Sequence, residues 1–189
     1  MVGPNLQPTF EEVVLPHLDS AYNLARWLTR NEHDAEDVVQ EACLRAFRYF
    51  PTFNGDRARA WLLTVVRNSC YNWMDATRPM KNSVEFDENL FPPTSQDPNP
   101  EKMLLQNDAA GLVRKALATL APNFREVLVL RELEDLSYKE IASITGMPMG
   151  TVMSTLSRAR HHLRQALTAL TNPNEPALSG PGQRSTLDA

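Results

Sequence analysis

The sequence predicts an all-α protein of two small helical domains joined by a flexible linker, with a helix-turn-helix in the C-terminal domain. Three observations predict it. Through two long stretches of the 189-residue chain, apolar residues recur at steps of three and four, the period of a helix with one buried face. Only 7 glycines accompany 14 prolines, and the prolines concentrate outside those stretches, which disfavours an all-β arrangement and leaves helices unbroken. Between the stretches, Met80 to Pro100 holds an acidic cluster, Pro92-Pro93 and Pro98 with no sustained apolar period, and reads as a linker. The boundaries follow as a first domain over 6–78, a linker over 79–107, a second domain over 108–170, and a disordered tail over 171–189.

In the first domain Phe10, Val13, Val14, Leu18, Ala21, Leu24, Ala25 and Leu28 form one stripe, predicting an amphipathic helix bent near Pro16. Asp34 is suited to cap the next helix, which carries Ala35, Val38, Val39, Ala42 and Ala46 inward. Its other face is Glu36, Asp37, Gln40, Glu41 and Arg45, and Pro51 ends it. Phe53-Asn54-Gly55-Asp56 makes a short loop before a third helix with Trp61, Leu62, Val65, Val66 and Trp73. In the second domain a helix through Leu112, Leu117 and Leu120 breaks at Ala121-Pro122, where proline suits the first turn of a new helix. Phe124, Val127, Leu128 and Leu133 then face inward. Ser137 and Glu140 form a capping box that opens a helix with Ile141, Ala142 and Ile144, and Gly146-Met147-Pro148 stops it. The last helix buries Val152, Leu156, Ala159, Leu163, Ala166 and Leu170, and turns Thr151, Ser154, Thr155, Arg158 and His162 outward.

A short helix, a tight glycine turn and a second helix with a polar, basic outer face is the helix-turn-helix pattern, whose second helix fits the major groove. Thr151 and Ser154 can reach base edges or phosphates, and Arg158 and Arg160 can neutralise the backbone. Charge supports this only locally. Residues 108–170 carry 8 basic and 6 acidic side chains, while the whole chain is at -4, so it should bind free DNA poorly, and if it reads DNA something else supplies much of the binding energy.

Other classes find little support. No uncharged apolar run reaches 18 residues and the first residues lack a signal-peptide pattern, so a cytoplasmic protein without membrane insertion is expected. Cys43 and Cys70, with no CxxC, read as buried core thiols rather than a disulfide or zinc site. His33, Glu36, Asp37 and Glu41 crowd a helix start, but they lack metal-ligand spacing and the helix dipole alone favours carboxylates there. His161 and His162 are adjacent and do not share a helix face. No catalytic set, metal or cofactor is expected.

The run SYKEIASITGMPMGTVMSTLSRAR resembles the C-terminal DNA-binding domain of the extracytoplasmic function (ECF) sigma factors of the bacterial sigma-70 family. DAEDVVQEACLRAFRYFPTFNGD followed by AWLLTVVRN is similar to the other domain of that family. The resemblance covers nearly everything from Phe10 to Leu170. It implies that Asp37, Gln40, Glu41 and Arg45 contact the β′ clamp helices of core RNA polymerase. It also implies that Phe53, Asn54, Gly55 and Asp56 trap a base flipped from the minus-ten element of promoter DNA, with Asn68 and Asn72 facing that strand. The minus-thirty-five element would be read by Thr151, Ser154, Thr155 and Arg158. An anti-sigma factor is an implied further partner. The sequence departs from the family pattern at Met153 and Thr155, where cations are usual, so no promoter sequence carries over. The alternative is a dimeric helix-turn-helix regulator that binds a palindromic operator by itself.

Overall fold

Proline and capping chemistry divide the first stripe as its sequence suggests. In the computed structural model, which describes residues 8–77 and 100–171 with side chains from Ala109 onward in the second segment, α1 spans Phe10–Val14. Thr9 caps it, exchanging hydrogen bonds with Glu12 in a capping box that the sequence reading did not identify. Pro16 cannot donate to a helical carbonyl, and a single 3-10 turn over Leu15–His17 leads into α2, Leu18–Thr29.

Arg30 closes α2 in the left-handed region at φ 62°, and the chain re-enters a helix through Asn31. Asn31, not Asp34, is the cap of α3 (Glu32–Tyr49): its side-chain oxygen accepts the Asp34 amide at 3.0 Å. Asp34 therefore sits inside the first turn, where its charge meets the helix dipole. After a 3-10 turn over Phe50–Thr52 and a loop through Gly55, α4 runs over Ala58–Thr77. The three long helices α2, α3 and α4 pack pairwise around Leu24, Leu28, Val38, Ala42, Leu62, Val66 and Cys70.

The second segment begins with α5, Pro100–Thr119, so the last part of the expected linker, from Pro100, is helical, and 79–99 lies outside the described residues. The tail beyond Thr171 also lies outside them. Pro122 opens α6, Pro122–Leu128, and a π-type turn over Val129–Leu133 leaves Leu133 exposed rather than buried. The capping box of Ser137 and Glu140 opens α7, Tyr138–Thr145, and Gly146 at φ 72° ends it. α8 spans Met149–Thr171 and packs on α5, α6 and α7 through Val152, Leu156 and Ala159, whereas Leu170, expected inward, is exposed.

The two segments do not stand apart. α2 packs on α6 and α4 on α7, and one apolar cluster runs from Val13 to Ala159 across both. The seam is also polar. Buried Arg125 donates to the carbonyls of Leu117 (3.0 Å), Ala118 (3.1 Å) and Leu120 (2.7 Å) at the end of α5 and of Trp27 (2.9 Å) in α2. Carbonyls at a helix C-terminus lack the full set of helical donors, and here one guanidinium donates to such carbonyls from both segments and ties them together. Burial and nearby Arg30 lower Arg125 to a pKa of about 10, still protonated at neutral pH.

Candidate nucleic-acid interface

Along α4, Trp61, Thr64, Asn68 and Asn72 recur at helical spacing and so share one face. At the start of that face the loop turns back: Gly55 at φ 82° and Arg57 at φ 54° are both left-handed, a conformation glycine adopts freely. The turn leaves Asn54 and Asp56 exposed and brings Phe53 against Trp61, ring centroids 4.8 Å apart, and against Phe50 at 6.0 Å. A cavity of about 470 Å³ opens here, lined by Phe53, Asn54, Asp56, Trp61, Thr64 and, from α7, Ser143. An aromatic wall with amide and carboxylate groups at the rim suits a planar base with a hydrogen-bonding edge. Gly55 shapes the turn without lining the cavity, and Asn68 and Asn72 lie exposed further along the stripe. Trp61 is thus both core and cavity wall, while Trp73 is half-buried in the core.

The outer face of α3 carries Asp37, Gln40 and Glu41 exposed, with Arg45 half-buried and donating to Glu41 at 2.8 Å. Sequence reasoning missed two residues on this side: Leu44 is 58% exposed and Phe47 61%. Leu44 follows Gln40 and Glu41 at steps of four and three, so spacing could have revealed it. Phe47 packs edge-on against Phe10 at 5.2 Å and leaves the rest of its ring to solvent. The face is therefore apolar at its centre and charged around it, the composition of a protein-binding patch.

On α8, Thr151, Ser154 and Arg158 are exposed, and the Arg158 Nε lies 3.4 Å from the Ser154 carbonyl. Thr155 departs from expectation: it is 4% exposed, because it falls on the Val152, Leu156 and Ala159 side of the helix and faces inward. Met149 (54% exposed) and Met153 (50%) stand on the outer face instead. Arg160 pairs with Glu132 at 2.6 Å, which holds it to the π-type turn rather than free for a phosphate. Hydrogen bonds from Ser137 hold the Glu140 carboxyl below the usual carboxylate range, which keeps the capping box charged and α7 anchored.

Cys70 is buried and Cys43 half-buried. Among the described residues no cluster of histidine, cysteine or carboxylate could hold a metal ion, and no helix is long and apolar enough to cross a membrane.

Comparison with known proteins gives this geometry its context. Residues 13–78 match the family "Sigma-70 region 2" and residues 110–163 the family "Sigma-70, region 4". The chain is 34% identical over 161 residues to the ECF RNA polymerase sigma factor SigE of Mycolicibacterium smegmatis, covering 85% of this chain and 62% of that protein. It is 36% identical over 134 residues to the ECF RNA polymerase sigma-E factor of Escherichia coli, covering 67% of this chain and 70% of that one. The fold matches the sigma factor RpoE of Bartonella quintana, solved in complex with the anti-sigma factor NepR, with a TM-score of 0.68 and 27% identity over 84% of this chain and 96% of that chain. With both regions matched in order on the two helical segments just described, the chain belongs to the ECF sigma factors of the sigma-70 family.

Proposed function

We propose that this chain gives core RNA polymerase its choice of promoter, and that three surfaces divide the work. The outer face of α3, with Asp37, Gln40, Glu41 and Arg45 around Leu44 and Phe47, docks on the polymerase. The cavity beside Phe53 takes a base from the minus-ten element, and Asn68 and Asn72 follow the strand away from it. Thr151, Ser154 and Arg158 read the minus-thirty-five element in the major groove; inward-facing Thr155 has no part in that contact. The single observation that carries the reading is the pair of sigma-70 regions in family order, each on a separate helical segment.

The acidic chain makes physical sense in this role. Polymerase supplies the grip on DNA, and the factor adds selectivity without large phosphate attraction of its own. No cofactor or catalytic step is needed. The protein would act in the cytoplasm, and an anti-sigma factor, as in the Bartonella complex, would hold it inactive.

The test is transcription from a cognate promoter with purified core enzyme. Wild-type chain is expected to set the start site, and Arg158→Ala to reduce output about tenfold, as loss of a base contact worth about 1–3 kcal/mol would. A gel shift without core enzyme is expected to show little binding. Tight binding of free chain to a palindrome, with no effect on polymerase, would instead identify a dimeric regulator.

A further inference from the structure

We propose that Met149 and Met153 on α8 read the 5-methyl groups of thymine in the major groove, so that this chain selects part of its minus-thirty-five element by apolar contact. The inference rests on the reading of α8 as the helix that enters that groove.

The outer side of α8 divides into three strips. Thr151 and Arg158, seven residues apart and both exposed, share one flank. Met149 and Met153, four apart, share the other flank with Arg160, seven residues beyond Met153. Gly150, Ser154 and Ser157 lie between the flanks and are exposed. With no side chain longer than that of serine in the middle strip, the backbone can come close to base edges, and each flank then faces one side of the groove.

The methionine flank offers the DNA no free charge from Arg160, whose guanidinium donates to Glu132 at 2.6 Å and 3.0 Å. Met149 is 54% exposed and Met153 50%, so both thioethers are available for contact. A thioether donates no hydrogen bond and accepts only weakly. Pressed against guanine O6, the adenine N6 or the cytosine amino group, it would strip water from a polar atom and return nothing. The thymine C5-methyl is the apolar group that base edges display in the major groove, and it loses little by the contact. Methionine, unbranched and polarizable, can follow that methyl closely.

Position supports the same pairing. Met149 opens α8 and Met153 lies one turn on, in the part of the second helix that reaches base edges in a helix-turn-helix. The two are about 6 Å apart along the axis at 1.5 Å per residue, near two base-pair steps of ~3.4 Å. Two thymines about two positions apart therefore fit the pair. A cation is usual at the Met153 position in the family, and an arginine there would grip guanine; methionine replaces that demand with one for thymine. The flank also differs from the protein-binding face of α3. There Leu44 and Phe47 make an apolar centre ringed by charge, whereas here the apolar groups border a small polar strip, as a methyl borders hydrogen-bonding edges in the groove.

The experiment uses full-length chain and a library of promoter duplexes randomised over the minus-thirty-five element. Selection is run with core RNA polymerase, and again with the chain alone at low salt, where phosphate attraction is strongest. Both are expected to enrich thymine at two positions about two steps apart. Deoxyuridine in place of each selected thymine removes only the methyl, and is expected to weaken wild-type binding about fourfold per base, the value of one buried methyl-sized group. Met149→Gln/Met153→Gln, checked for folding by circular dichroism, should bind more weakly than wild type and make no distinction between thymine and deoxyuridine. Met153→Arg is expected to exchange one selected thymine for guanine. A wild type indifferent to deoxyuridine would overturn the proposal, as would an equal deoxyuridine penalty in the glutamine variant. Self-association that the glutamine variant abolishes, without any methyl dependence, would overturn it in favour of a second copy of the chain on this flank. Start-site choice is read separately: methyl-dependent binding without control of transcription refutes the proposed function and spares this inference, and start-site choice without methyl dependence sinks only this one.

Discussion

Cys70 and Cys43 differ in what surrounds the sulfur. Burial, then the charge on Glu126, pushes the Cys70 thiol up to about 12 from 9.0, while burial raises half-buried Cys43 to a lesser degree. The thiolate is the reactive form, so native Cys70 should resist alkylation at pH 8 while Cys43 is modified first, and Cys70 should react only as fast as the chain unfolds. The sign for stability follows from the same shift. Below pH 9 neither state ionises Cys70 and its full contribution to the native state is present; as pH rises through about 12, the unfolded thiol loses its proton first and that contribution is lost. Mass spectrometry of a timed iodoacetamide reaction checks the order, and equal labelling of both thiols in folded protein would contradict it. The burial of Cys70 was legible in the sequence, because free cysteine is normally a small core hydrophobe, whereas Cys43, expected in the core as well, is only half-buried. Thr155 was not read correctly, because its hydroxyl was weighed above its position, three residues after Val152 and one before Leu156.

At the scale of the element, the two ends of the turn between α7 and α8 separate conformation from packing. A Cβ added at Gly146 meets nothing within 4 Å, so Gly146→Ala is expected to destabilise by about 1–2 kcal/mol solely through its left-handed backbone. Gly150, in the first turn of α8, has equal space and no such constraint, so Gly150→Ala should be neutral or stabilise by up to about 1 kcal/mol. Urea midpoints of the two variants check the pair, and equal shifts would show that space rather than backbone governs the turn. This turn was legible because glycine followed by proline leaves few alternatives. The start of α3 was not: Asn31 and Asp34 are both good caps, and the choice depended on Arg30 reversing the chain just before Asn31.

Across the whole molecule, helical period and proline placement gave away both segments but not their meeting. Arg125, Glu126 and Glu134 look in the sequence like ordinary surface charges on helices, because their partners, Trp27, Arg67, Tyr71 and Arg59, lie far off in the chain. The seam depends most on Arg125. Its replacement by leucine removes a guanidinium that donates to four carbonyls, and Arg125→Leu is expected to cost about 3 kcal/mol. Calorimetry should then resolve two transitions where wild type has one, since the variant loses the group that joins both segments. One transition at an unchanged temperature would show that the apolar cluster alone holds them together.

The bond from Arg125 to the Trp27 carbonyl spans 98 residues. A ribosome adding about 5–20 residues per second needs roughly 5–20 s to synthesise that interval. The N-terminal bundle therefore emerges and settles with its arginine-lined flank bare, and the nascent factor passes through an unlatched state each time it is made.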